Sequence, residues 1–151
     1  PCPDFQVADL VNHLAGWANS FAAKSTGDES PTDPNKYQAG DSPAAEFRES
    51  AQTIVDSYRK PDGSSDQPPI GLLLMEFLTH GWDLAVATDQ PVNFSTEAAD
   101  VALANGQQML QPEYRGDGKS FGQMEPIPDT AGSVDKLVAF LGRSPSWNAN
   151  A

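Results

Sequence analysis

Cysteine is all but absent from this chain: there is one, Cys2. A single cysteine cannot close an internal disulfide, so a reducing compartment is the natural setting and a cytoplasmic location is expected. Basic residues are also scarce, 9 against 21 acidic ones, for a net charge of -12. Such a surface is repelled by phosphate backbones and anionic bilayers. That argues against nucleic acid or membrane as a partner, and plain solubility accounts for most of the charge. No run approaches the roughly 20 apolar residues that span a bilayer, and no signal-peptide pattern opens the chain. Asn93-Phe94-Ser95 matches a glycosylation sequon, which carries no meaning in a cytosolic chain. Internal repeats and convincing strand alternation are missing too, so the expected class is all-α. With 151 residues the chain has room for one domain with a real core, taken as 1–151, and little room for two.

What is present is helical periodicity. Leu10, Leu14, Trp17 and Phe21 recur at steps of three and four, predicting a first helix over about 7–23. Gly27, Pro31, Pro34, Gly40 and Pro43 make Lys24 to Pro43 a loop. A second helix over about 44–59 carries Phe47, Ala51, Ile54, Val55 and Tyr58 as its stripe, and Lys60 to Pro69 is a second loop. The third helix, about 69–87, is apolar nearly all round, as expected for a central, buried helix. Gly81 inside it costs roughly 1 kcal/mol relative to alanine. A fourth helix is predicted from Thr96 to Leu110 with Ser95 as N-cap, and a last one from Val134 to Leu141 with Ser133 as cap and Gly142 as stop. A short extended piece is possible around Phe121 to Ile127.

The only two histidines both fall on apolar faces. His13 lies between Leu10, Leu14 and Trp17; His80 lies in the third helix, one turn after Glu76. Residues four apart leave a helix on the same side, roughly 5–6 Å from each other. An ionised carboxylate on such a face is costly unless it is paired or metal-bound. An imidazole and a carboxylate one turn apart form a two-point platform for zinc or a similar ion, and a third ligand from another helix would leave one position open, the catalytic pattern. The spacing equally allows Glu76 to pair with His80 or with an arginine such as Arg48 or Arg59.

Three segments carry a family resemblance. Pro1-Cys2-Pro3-Asp4-Phe5 with Asp9-Leu10-Val11 and His13-Leu14 resembles a "PC-x-x-W-T-V-x-D-L-x-x-H-L" opening. Glu76-Phe77-Leu78-Thr79-His80-Gly81-Trp82-Asp83-Leu84-Ala85 is similar to an "E-x-x-x-H-x-W-D-L-A" helix. Leu141-Gly142-Arg143-Ser144-Pro145 with Trp147 is similar to a "GR-x-P-x-W" close. Together they resemble the actinobacterial mycothiol-dependent maleylpyruvate isomerase N-terminal-domain proteins, in the DinB/YfiT-like superfamily. The resemblance implies a four-helix bundle whose first helix is missing here, with a C-terminal helical extension over about 95–147. It implies one divalent metal held by His13, Glu76 and His80. It also implies a low-molecular-weight thiol, such as mycothiol, activated for transfer or isomerisation; a metal-binding bundle without turnover is the alternative. Zinc suits two imidazoles and a carboxylate, with nickel, iron(II) or cobalt next. Gln6 stands where the family has a capping Thr.

Because the chain starts at Pro1, the absent helix is expected as a separate fragment or as a second copy of the chain, and cleavage before Pro1 is one origin of that start. Cys2 is then a nucleophile, a metal ligand or a processing residue or, more simply, a buried family cysteine with no chemistry. Asp83, three residues after His80, can orient it or pair with an arginine. Trp17 and Trp82 are expected in the core. Gly118-Lys119-Ser120 is not a phosphate loop, since its first glycine would fall on Glu113. Arg115 and Lys119 belong to a loop, exposed by default, that is long enough to reach over a site.

Overall fold

The computed structural model describes residues 1–2, 5–30, 32–60, 67–119 and 121–148. Pro3 and Asp4 of the opening motif, Pro31, residues 61–66 of the second loop, Ser120 and the end of the tail lie outside the described residues. Within them the chain forms five α-helices and no strand: α1 (Val7–Thr26), α2 (Pro43–Tyr58), α3 (Ile70–Ala87), α4 (Thr96–Met109) and α5 (Ser133–Phe140). The expected all-α class holds. The piece around Phe121 makes one isolated bridge, to Arg115, and no strand.

The helices begin and end for local reasons. The Gln6 N–H is satisfied by the Asp9 carboxylate at 3.0 Å, the reciprocal half of a capping box supplied from inside the first turn. α1 runs three residues past the predicted Ala23, through Ser25 and Thr26, whose hydroxyls donate to Phe21 O (2.7 Å) and Ala23 O (2.9 Å) within the helix. Gly27 then closes it in the left-handed conformation, φ 82°. Pro43 opens α2, where its missing N–H costs nothing. Ser95 caps α4 as expected, accepting from Ala98 N at 3.2 Å. Ser133 does not cap α5; it is the first helical residue, and Gly132 takes the cap position without a side-chain bond.

The chain divides into two compact units, Phe5–Pro69 and a second containing Pro1, Cys2 and the chain from Ile70 on. In the first, α1 packs on α2, burying Leu10, Leu14, Ala18, Phe21 and Ile54. The intervening loop is tied down by side chains: Asn12 accepts from Ala39 N (2.9 Å), and Glu46 accepts from Tyr37 Oη (3.0 Å) and Gly40 N (2.9 Å). The Tyr58 hydroxyl donates to Pro68 O, near the end of the second loop.

In the second unit α4 packs on both α3 and α5. Met75, Ala99, Ala102, Leu137 and Leu141 form its core, with Leu72, Leu74 and Leu78 packed against it. Gly81 has a packing reason: a Cβ there would stand 3.1 Å from the Phe94 ring. Contrary to the expectation that no segment approaches a bilayer span, α3 is one described helix, 18 residues long, that is apolar enough to cross a membrane by length and composition. Core helices of soluble proteins meet the same condition, and Glu76, His80 and Asp83 along α3 would be costly in hydrocarbon.

Candidate metal centre

Glu76 and His80 leave α3 together, as their spacing requires, with His80 Nε2 3.7 Å from Glu76 Oε1. Both are half-buried. The other ring nitrogen is held: His80 Nδ1 lies 3.0 Å from Asp83 Oδ2. Asp83 is fully buried. Burial pushes its carboxyl up, but hydrogen bonds from His80 and Arg143, the Arg143 charge and a hydrogen bond from Cys2 outweigh it and hold the pKa at about 2. An ionised carboxylate can only accept, so His80 Nδ1 is the donor. In the neutral ring this leaves the lone pair on Nε2, on the Glu76 side.

Asp83 was expected either to orient His80 or to pair with an arginine; it does both. The guanidinium of Arg143 grips it at two points, Nη2 to Oδ2 at 3.0 Å and Nε to Oδ1 at 3.3 Å. Cys2 Sγ donates to the same Oδ2 at 3.0 Å and accepts from Arg143 Nη2 at 3.2 Å. Burial first, and Asp83 next to it, push the Cys2 thiol up to about 11, only partly offset by Arg143. Cys2 is therefore a half-buried, hydrogen-bonded thiol that stays protonated at neutral pH. Cys2, His80 and Asp83 cluster closely enough to suggest a cation site. The cation there is part of the chain, because the Arg143 guanidinium contacts both the sulfur and the carboxylate.

Sequence reasoning did not place Arg143 or Cys2 in this cluster. The signal was the resemblance itself: its opening, middle and closing motifs each send one side chain to Asp83. A glycine at position 142 makes the last of these possible. It sits at φ 83°, and a Cβ there would stand 2.7 Å from Gly122 Cα. The chain can turn sharply after α5 and bring Arg143 back, with Arg143 N donating to Val138 O at 2.9 Å.

His13 sits on α1 in the first unit, half-buried, its ring edge-on to Phe5 (centroids 5.4 Å) and Trp17 (6.3 Å). Trp17 also packs on Phe21 at 5.3 Å, and its buried indole Nε1 has no partner among the described residues. Trp82 is buried, as expected of a core residue. Arg59, a candidate partner for Glu76, is exposed and bonds Asp56 in its own helix at 3.4 Å. Arg115 is not a free loop arm. Its Nη1 donates to Phe140 O at 2.7 Å and its guanidinium lies 4.4 Å over the Phe140 ring.

Over an alignment 156 positions long, the chain is 33% identical to two proteins from different strains of Mycobacterium tuberculosis, "Uncharacterized protein Rv0738" and "Uncharacterized protein MT0763". The alignment covers 95% of this chain and 82% of each relative. No family model matches the chain, and no solved structure matches it.

Proposed function

This chain belongs to the same family as those two uncharacterized mycobacterial proteins, and on that premise we propose that it is a divalent-metal-binding helical protein of the DinB-like kind. In this reading Glu76 and His80 are two ligands and His13, by the motif resemblance, is the third. Zinc is the proposed ion, with nickel or iron(II) as alternatives. A low-molecular-weight thiol is the proposed cosubstrate of a transferase- or isomerase-like reaction.

One observation carries the metal reading: the arrangement around His80. Its Nδ1 is engaged by an ionised carboxylate, and its Nε2 faces Glu76 across 3.7 Å. That gap is too long for a good hydrogen bond. It is near the roughly 3.3–3.5 Å between two ligand atoms that each stand about 2.0–2.1 Å from one tetrahedral zinc. Carboxylate, histidine and metal in a row is the usual way a ligating imidazole is oriented and its basicity raised. When bound, the ion would supply Lewis acidity, lowering the pKa of a thiol or water in the open position. Glu76 would balance its charge, and Asp83 would keep the imidazole turned toward it.

The test is metal analysis and zinc titration of the purified protein. About one equivalent, reduced strongly in His13→Ala and Glu76→Ala variants that keep their helical circular dichroism, is the expected result. Less than about a tenth of an equivalent would leave Glu76 and His80 as an ordinary half-buried pair. Thiol-dependent turnover that disappears in the same variants separates an enzyme from a non-catalytic binder.

A further inference from the structure

The second unit contains a buried cationic clamp that the metal reading does not use. Arg143 lies just beyond the last helix, far from Glu76 and His80 in sequence, and contacts neither side chain in any bond described above. Its guanidinium is nonetheless held at several points. Nη1 donates to Leu141 O at 2.9 Å, Nη2 and Nε grip the two oxygens of Asp83, and Nη2 also reaches Cys2 Sγ. A fork held this way fixes the plane of the carboxylate as well as its charge. Asp83 Oδ2 then has one place to be, and His80 Nδ1 meets it there.

We infer that Arg143 is a positioning residue: through Asp83 it locks His80 in the tautomer with the proton on Nδ1, leaving Nε2 toward Glu76. The value of this lock for metal binding rests on the reading proposed above, whereas the lock itself belongs to the metal-free chain. The Cys2 S–H completes it by occupying another direction around Oδ2, so the carboxylate has fewer orientations open to it. The geometry makes a distinction that charge alone does not. A lysine at 143 would still neutralise Asp83, but it presents a point charge on a flexible stem and cannot grip both oxygens.

The experiment is two-bond nitrogen–proton correlation NMR of the imidazoles in metal-free protein at pH ~8.5, where an ordinary imidazole is neutral. The chain has only two histidines, so a His13→Gln variant assigns the spectrum. The unaltered protein is expected to show His80 almost entirely as the Nδ1–H tautomer; a dominant Nε2–H tautomer overturns the inference without any variant being made. In Arg143→Met the preference is expected to be lost, and in Arg143→Lys, the safer variant for folding, to be clearly weakened. Full retention of the wild-type ratio in folded Arg143→Met overturns the inference, and full retention in Arg143→Lys overturns the claim that the two-point fork, rather than the charge, sets the tautomer. Zinc affinity of folded Arg143→Lys should fall about 10–100-fold, the usual cost of disturbing a ligand's outer hydrogen bonds. If the unaltered protein binds no zinc, the metal reading fails while the tautomer result still decides the role of Arg143.

Discussion

The two units of this chain are built from the same kind of helix but keep their polar groups differently. In the α1–α2 unit the side-chain bonds are local or near the surface: Asn12 and Glu46 tie down a loop, and Arg59 meets Asp56 one turn away. In the α3–α5 unit a carboxylate, a guanidinium, an imidazole and a thiol meet around one fully buried residue, Asp83. In the first, the exposed Arg59–Asp56 pair stabilises little. The second is expensive to desolvate and strongly destabilising to break on one side. The imidazole that meets this cluster is that of His80, whose Nδ1 lies 3.0 Å from Asp83 Oδ2.

The comparison breaks most clearly at Asp83. Asp83→Ala leaves Arg143 buried without a counter-ion and should cost about 3–5 kcal/mol in denaturant unfolding; a loss below about 1 kcal/mol would mean the cluster is no more important than the surface pairs. The pH dependence has a definite sign. Because the folded carboxyl is held at about 2, below the ordinary aspartate value of 3.8, its contribution to stability is complete above that ordinary value and fades as pH falls toward 2. The acid limb of a stability profile should flatten in Asp83→Asn.

Gly142→Ala is next. With φ at 83° and the Gly122 backbone 2.7 Å from the new Cβ, it should cost about 2–3 kcal/mol and displace Arg143, visible as a drop in thermal midpoint. A smaller effect is kinetic. A thiol at about 11 instead of 9.0 carries about a hundredth of the thiolate, while each thiolate is more nucleophilic. Cys2 should therefore be alkylated by iodoacetamide at pH 8 about tenfold more slowly in folded protein than in denaturant, and equal rates would show an accessible, ordinary cysteine. The smallest effect belongs to the first unit: Arg59→Ala should change unfolding free energy by less than about 0.5 kcal/mol.

Much of this was legible along the chain. Apolar residues at steps of three and four located the helices, and Ser95 marked the start of α4 correctly. The errors lay at helix ends. α1 continued through Ser25 and Thr26, whose hydroxyls bond within the helix, and at α5 a glycine took the cap position that Ser133 was expected to fill. The pairing of Glu76 with His80 needed only the helical repeat. Asp83 was readable as a neighbour of His80 for the same reason, though not as the partner of Arg143.

The sequence by itself determined the helical class, the shared face of Glu76, His80 and Asp83, and the sharp turn at Gly142. Each of these depends on backbone geometry over a few residues, which local side chains specify. Only the tertiary structure decided that Cys2 and Arg143 meet at Asp83. Those partners lie 81 and 60 residues away from it. No periodicity links such positions; Arg143 reaches Asp83 because α4 packs on α3 and α5, and the turn after α5 aims its guanidinium at a carboxylate that packing has removed from water.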